Sequence, residues 1–402
     1  MMISNLPSDG VIYAEWLIDG TGTRPQQNIW ITIHDHMISG IYTCYTDIPN
    51  HHPVLNPPIL NFSGHTVMPA WIDCHVHLVM SGTPDADIRK SQLEMDYQKA
   101  RMVISTHLQD VIQCGIAAVR DGGDGHGHTL RYKHENRESF NPAVQLKTAG
   151  KAWHQAGRYG KLIGDCPEPG ESLSEALAKS MTRPDPVCPD HIKIVNSGLN
   201  SLTCFGKETK PQFSMQEMTA VVKFARWMNL PVMVHANGKL PVQIAVESGC
   251  SSIEHGFFMG RNNLEKLAER QIVWIPTAIT MKAYSEWLLP ASNEAETAIR
   301  NLEHQIGQMM LARKLGVPIA LGTDSGSLGV FHGYSAKEEL KLFQEAGFSV
   351  SEAIQCATLN GARLLGIPNL GSLQPGKRAC FTVIDGPPEQ LFANLNSLKG
   401  LT

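Results

Sequence analysis

The sequence predicts an α/β protein: a (β/α)8 TIM barrel beside a small β-sandwich domain formed by the N- and C-terminal segments. Three observations carry that reading. Short apolar runs alternate with longer helix-periodic segments from about Thr66 onward. Both chain ends read as strand. The 402 residues exceed the roughly 250 that a bare barrel needs, which leaves room for an appended domain.

The first segment, residues 1–65, contains VIYAEWLIDG and NIWITIHDHMISGIY, whose alternation and β-branched content suit antiparallel strands. Residues 66–370 then hold eight strand candidates: TVMPAWID, GIAAVRD, AVQLKTAG, HIKIVNS, PVMVHA, SSIEH, QIVWIPT and PIALGTD. Helical stretches lie between them. Ser214 with Glu217, and Ser335 with Glu338, have the spacing of a capping box, in which each side chain satisfies an orphan backbone donor. Strands that alternate with helices pair in parallel through crossovers, and eight of them point to a closed barrel. A doubly wound open sheet has the same local pattern and is the main alternative. Residues 371–402, with ACFTVIDG, return to strand and are expected to complete the small β-domain.

Composition narrows the function classes. Hydrophobic residues make up 42% and charged residues 18%, enough apolar side chains for a large core. The net charge is −4 and no run of five basic residues occurs, which disfavours nucleic acid or an anionic membrane as partner. MMISNLPSDG lacks a basic and then apolar leader, and no apolar stretch approaches the ~20 residues of a membrane span. Nine scattered cysteines without a CxxC pair suit reduced thiols, so a cytoplasmic location is expected.

The chemistry concentrates at predicted strand ends. His75 and His77 close the first barrel strand as DCHVH, and residues two apart on a strand face the same side. Lys193 lies in the fourth strand, His235 ends the fifth, His255 the sixth and Asp324 the eighth. Active sites of this fold are assembled from the C-terminal ends of several strands. Singly, each residue has an ordinary structural explanation: Lys193 as a snorkelling strand residue, Asp324 as a helix cap. As an ordered set they indicate a metal site. After the third strand, KTAGKAWHQAGRYG brings His154, Arg158 and Tyr159 to the expected mouth. An Arg there suits a substrate carboxylate, and a Tyr or His suits a developing oxyanion. Arg120 and Asp121 are expected to form an ion pair at the rim, and Cys74 to turn outward against a helix. Trp274, Phe257, Phe258 and Phe331 read as core or rim residues, and no role is assigned to His332.

Across nearly its whole length the chain resembles the amidohydrolase superfamily, specifically the members with a binuclear metal centre. The resemblance rests on LIDGTGTRPQQNIWITIHDHMISGI, on VMPAWIDCHVH and on TLNGARLLGI followed by GSLQPGKRACFTVID. The family usually has Gly where Ala70 stands, and an Asp near Ala379 or Cys380 that this chain lacks. Within the family it resembles the prolidase-like (Xaa-Pro and Xaa-Xaa) dipeptidases, where a lysine in an IKI strand precedes a small-residue loop, here NSGLN.

The resemblance implies that His75, His77 and Asp324 hold one divalent ion and His235 and His255 a second. Lys193, carboxylated by CO2, would bridge them as a carbamate. Mixed nitrogen and oxygen ligation suits zinc, with manganese or cobalt as substitutes. The reaction implied is hydrolysis of an amide, peptide-like C–N bond by a metal-bridging hydroxide, with Asp324 as proton shuttle. The implied partners are a small-molecule substrate and further copies of the chain in a homo-oligomer.

Other chemistries stay open. The same hydroxide would serve an ester, lactone, carbamate or phosphotriester. Deaminases of small cyclic amines or amidines, on related barrels, carry a Glu shortly after the fifth-strand His, where this chain has Ala236, Asn237 and Gly238. Dihydroorotases often have Arg two residues beyond the HxH pair, where this chain has Leu78 and Val79. A non-catalytic metal protein would instead close its coordination sphere.

Overall fold

The computed structural model describes residues 6–49, 57–136, 144–182 and 187–401. Ala143, first residue of the run AVQLKTAG, lies outside them. Four strands come first: β1 Gly10–Leu17, β2 Gln26–His34, β3 Met37–Tyr42 and β4 Ile59–Pro69. Nine follow through the middle of the chain: β5 Trp71–Val76, β6 Ile116–Asp121, β7 Gln145–Thr148, β8 Ala152–Trp153, β9 Gly164–Asp165, β10 Ile192–Val195, β11 Val232–Ala236, β12 Ser252–His255 and β13 Val273–Ile275. The last two are β14 Phe381–Asp385 and β15 Lys399–Leu401.

The helices are α1 Ala86–Glu94, α2 Tyr97–Gln113, α3 His128–Glu135, α4 Leu173–Met181, α5 Met215–Trp227 and α6 Lys239–Ser248. Then come α7 Arg261–Arg270, α8 Ile279–Trp287, α9 Asn293–Leu315, α10 Tyr334–Glu345, α11 Val350–Ala357 and α12 Leu359–Leu365.

The two chain ends join in one six-stranded mixed sheet, ordered β15-β14-β4-β1-β2-β3. A small β-sandwich was expected. The difference comes from β1, which pairs antiparallel with β2 but parallel with β4, so β4 bridges the N-terminal strands to β14 within a single sheet. Ile12, Ile29, Ile31, Ile33 and Phe381 pack on one face of it.

The middle of the chain forms two parallel sheets, β5-β6-β7 and β13-β12-β11-β10-β8-β9. Every residue of β5, β6, β10, β11 and β12 is buried, as parallel strands covered on both faces require. The register sets Val195 beside His235 and Ala236 beside His255, so the strands end together at one edge. Beside β10 lies the short β8, which takes the place that β7 would have in a continuous sheet. Thr148 of β7 reaches the chain before β10 through two bonds with Asp190.

The eighth run, PIALGTD, is not a regular strand. Its backbone bonds to Trp274 on one side (Trp274 N to Pro318 O 2.9 Å, Ala320 N to Trp274 O 3.1 Å). On the other side it bonds to β5 and His77 (Cys74 N to Leu321 O 2.9 Å, Asp324 N to His75 O 2.7 Å, His77 N to Ser325 O 2.7 Å). The left-handed φ of 60° at Asp324 interrupts its ladder.

Ser214 and Glu217 form the expected capping box at the start of α5. Ser335 and Glu338 do not. Because α10 starts at Tyr334 with Gly333 as its cap, Ser335 accepts from Phe331 N instead. Glu338 is engaged by Lys282 and Lys341. Cys74 is buried and packs towards Gly361 of α12. Among the described residues, no helix is long and apolar enough to cross a membrane.

Candidate active site

The C-terminal edge of the parallel strands gathers all six predicted donors around one cavity of about 180 Å3. His75 and His77 enter from β5 and the residue beyond it. Their approach to β6 depends on Gly122, where a Cβ would lie 2.8 Å from His77 Cε1 and 3.4 Å from His75 Nε2. His255 and Asp324, with φ of 66° and 60°, leave the strand conformation. His255 therefore escapes strand alternation and joins the cluster that its neighbour Glu254 also faces.

Distances within the cluster are short. Asp324 Oδ1 lies 3.4 Å from His75 Nε2 and 3.5 Å from His77 Nε2. Lys193 Nζ lies 3.4 Å from His75 Nε2. The His255 ring centroid is 4.6 Å from that of His235 and 5.0 Å from that of His75.

Three of the four imidazoles have one nitrogen in a hydrogen bond away from the cluster. His77 Nδ1 donates to Gly123 O at 2.9 Å, and His235 Nε2 donates to Gly198 O at 3.1 Å. His255 Nδ1 meets the Thr277 hydroxyl at 2.7 Å; since that hydroxyl donates to Pro276 O, it accepts from the ring. His75 Nδ1 lies 2.9 Å from Glu254 Oε2. The opposite nitrogen of His77, His235 and His255 is thereby left as a lone pair, the tautomer arrangement that metal-binding histidines adopt, while His75 Nδ1 and Glu254 Oε2 make no hydrogen bond among the described residues.

Burial acts in the same direction. It holds His77 down to about 4 and His235 to about 3, and His75 and His255 well below the usual range, so all four rings are neutral. Burial also lowers Lys193 to about 8 and raises Asp324 to about 7.

Beneath the cluster is a set of charges that sequence reasoning missed. Arg120 does not pair with Asp121. It donates to Cys74 O, Ser252 Oγ and Glu254 Oε1. Asp121 accepts from Leu78 N and Gly123 N instead. Asp73 accepts from His75 N, Thr323 N and the Thr323 hydroxyl, tying β5 to the segment that carries Asp324. A Glu directly before His255 in a buried strand was the available signal for Glu254.

The residues predicted to bind substrate separate. Tyr159 lines the cavity, its ring 5.3 Å from His235. His154 is buried and donates to Gln155 O, and Arg158 is exposed and donates to Lys210 O; neither lines the cavity. The missing signal is tertiary, since Lys210 lies 52 residues further along the chain. Phe257, Arg89 and Asn200 do line it. Trp274 and Phe257 are buried and Phe331 is exposed, while His332 stacks on His107, their centroids 3.9 Å apart.

The donor set fits divalent metal. Among the described residues, the imidazole and carboxylate donors of His75, His77 and Asp324 lie within 4.8 Å of one another. His235 and His255 stand alongside with lone pairs free, and neutral nitrogen plus carboxylate oxygen is the ligation that zinc-like ions take.

The ochratoxinase of Aspergillus niger is 25% identical to this chain, over 98% of it and 84% of the relative. An imidazolonepropionase of Salinispora arenicola is 23% identical, over 92% and 89% respectively. A solved Xaa-Pro dipeptidase with bound methionine in its active site superposes with a TM-score of 0.78 at 24% identity, covering 97% of both chains. The amidohydrolase family profile matches residues 66–401, and the chain belongs to that family.

Proposed function

We propose that the cavity hydrolyses the amide C–N bond of a small molecule with two divalent ions in place. Membership of the family already makes the chain a hydrolase of C–N bonds. The metal arrangement rests on one observation: four buried, neutral imidazoles, three of them with a lone pair left by an outward hydrogen bond, line the same cavity as Lys193 and Asp324.

In this reading His75, His77 and Asp324 would hold one ion and His235 and His255 the other, with Lys193, as a carbamate, supplying oxygen ligands. When bound, such ions polarise a carbonyl and lower the pKa of water. Burial lowers the Lys193 amine towards the neutral form that adds to CO2. Asp324 takes a proton from the attacking water and returns it to the leaving nitrogen, and its raised pKa suits both roles near neutrality. Burial keeps the Tyr159 hydroxyl protonated, so it serves as donor to the oxyanion. Among the described residues Asp324 is the only carboxylate lining the cavity, so the second acid a deaminase would need has no candidate among them.

Strands β5, β6, β7, β10, β11, β12 and β13 with segment 318–325 would then supply the eight strands of one barrel spanning residues 66–370, with 1–65 and 371–402 composing the smaller domain.

The test is metal content per chain after expression with zinc, manganese and bicarbonate, in the parent and in Lys193→Ala. Close to two ions in the parent and a clear loss in the variant, with turnover of dipeptides or N-acyl amino acids lost alongside, supports the bridged centre. One tightly held ion, indifferent to Lys193, sinks it.

A further inference from the structure

The cavity wall carries two cationic side chains, Lys193 and Arg89. The first is consumed by the metal reading above. Arg89, the fourth residue of α1 after its Asp85 cap, reaches the cavity from outside the donor cluster. Its Nη1 donates to Ser81 O at 2.8 Å and to Gly326 O at 3.0 Å, which fixes the plane of the guanidinium. Both acceptors are neutral carbonyls, and among the described residues no Asp or Glu forms an ion pair with Arg89. Its remaining N–H groups are left for a ligand.

A second donor is unspent at the same wall. Asn200 Nδ2 is buried and has no hydrogen-bond partner, and leaving a buried donor unmet costs stability that a ligand oxygen recovers. The rest of the wall is largely apolar, with Met80, Leu162, Leu199, Phe257 and Met281.

We propose that Arg89 is the specificity determinant of this site. It binds a carboxylate on the substrate, with Asn200 donating to a second substrate oxygen, so that the preferred substrates are small amides bearing one carboxylate and one apolar group. The cavity of about 180 Å3 is below the ~300–1,000 Å3 typical of sites for drug-sized ligands, in keeping with a substrate of dipeptide size. A planar guanidinium held by neutral acceptors is the geometry that binds carboxylate through two parallel bonds. The proposal rests on the cavity being the hydrolytic site, and it assigns to Arg89 the role that sequence reasoning gave to Arg158.

The experiment compares N-acetyl-leucine with N-acetyl-leucinamide, which differ only in the carboxylate. Affinity is read by calorimetry on metal-loaded protein, independently of turnover. We expect the parent to favour the acid at least tenfold, Arg89→Met to bring the ratio of the two affinities close to one, and Arg89→Lys to retain part of the preference. Asn200→Ala should weaken both ligands. Metal content of each variant is measured in parallel, so a failed metal centre registers separately from a failed carboxylate site. Equal affinity for acid and amide in the parent overturns the proposal, as does binding of neither. A ratio unchanged in Arg89→Met, with both affinities reduced together, also overturns it and makes Arg89 a brace between the Ser81 and Gly326 loops.

Discussion

The mixed sheet and the parallel sheets bury their residues to opposite ends. The face of the mixed sheet that holds Ile12, Ile29, Ile31, Ile33 and Phe381 is apolar, and its burial is a source of stability. The parallel strands bury Asp73, Arg120, Lys193 and Glu254 as well, each at 3% exposure or less. Removing such groups from water costs several kcal/mol apiece unless they are paired and hydrogen-bonded; here Arg120 pairs with Glu254 and donates to Cys74 O and Ser252, Asp73 accepts from Thr323, and Lys193 Nζ meets His75 Nε2. One region stabilises the chain. The other holds an arrangement of donors that stability alone would not select, which is how a site differs from a core.

If that contrast holds, substitutions in the two regions separate chemistry from folding. The largest effect is expected for Asp324→Asn, which removes a donor 3.4 Å from His75 and the proposed proton carrier. Turnover should fall roughly 10²–10⁴-fold, the range for loss of a general acid–base group, while the unfolding midpoint changes little. Steady-state kinetics and metal analysis decide it: both ions retained with near-normal turnover would remove Asp324 from the mechanism.

Ile31→Ala makes the reverse prediction. Ile31 is fully buried in the apolar face, and deleting most of its side chain should cost about 2–5 kcal/mol. Denaturant unfolding should register that loss while the metal content of the folded protein stays at the parental value. A change in metal content at this distance would mean that the mixed sheet shapes the site.

How far the sequence exposed this division depended on the range of the interaction involved. That His75, His77, Lys193, His235, His255 and Asp324 come together at one cavity was legible because the ends of short apolar runs are local features, although His255 and Asp324 arrive there with left-handed backbone and not by strand alternation. The loop around His154 and Arg158 was not, because its side-chain directions are set by Gly160 packing on His154 and by the distant carbonyl of Lys210. Arg120 read as a partner of its neighbour Asp121, whereas its actual partner Glu254 lies 134 residues away. The single mixed sheet was hidden in the same way, since it depends on the parallel pairing of β1 with β4 across a long connection.

Glu339 sharpens the comparison by a smaller effect. It is a carboxylate fully buried in α10, accepting from Ala278 N and Ile279 N where α8 begins. Those donors favour the charged form, but burial outweighs them and raises its pKa from 4.5 to about 8. Between those two values native Glu339 keeps a proton that the unfolded chain has released. The native state then binds more protons, so this group's contribution to stability is present below pH 4.5 and is lost as pH rises to about 8. Glu339→Gln, which stays neutral and keeps an oxygen for the α8 amides, should remove that dependence. The difference in unfolding midpoint between parent and variant should therefore move in the variant's favour as pH rises through the window. A difference that does not vary with pH would mean that the α8 amides hold Glu339 ionised, and that this part of the interior carries its charge at no cost to the fold.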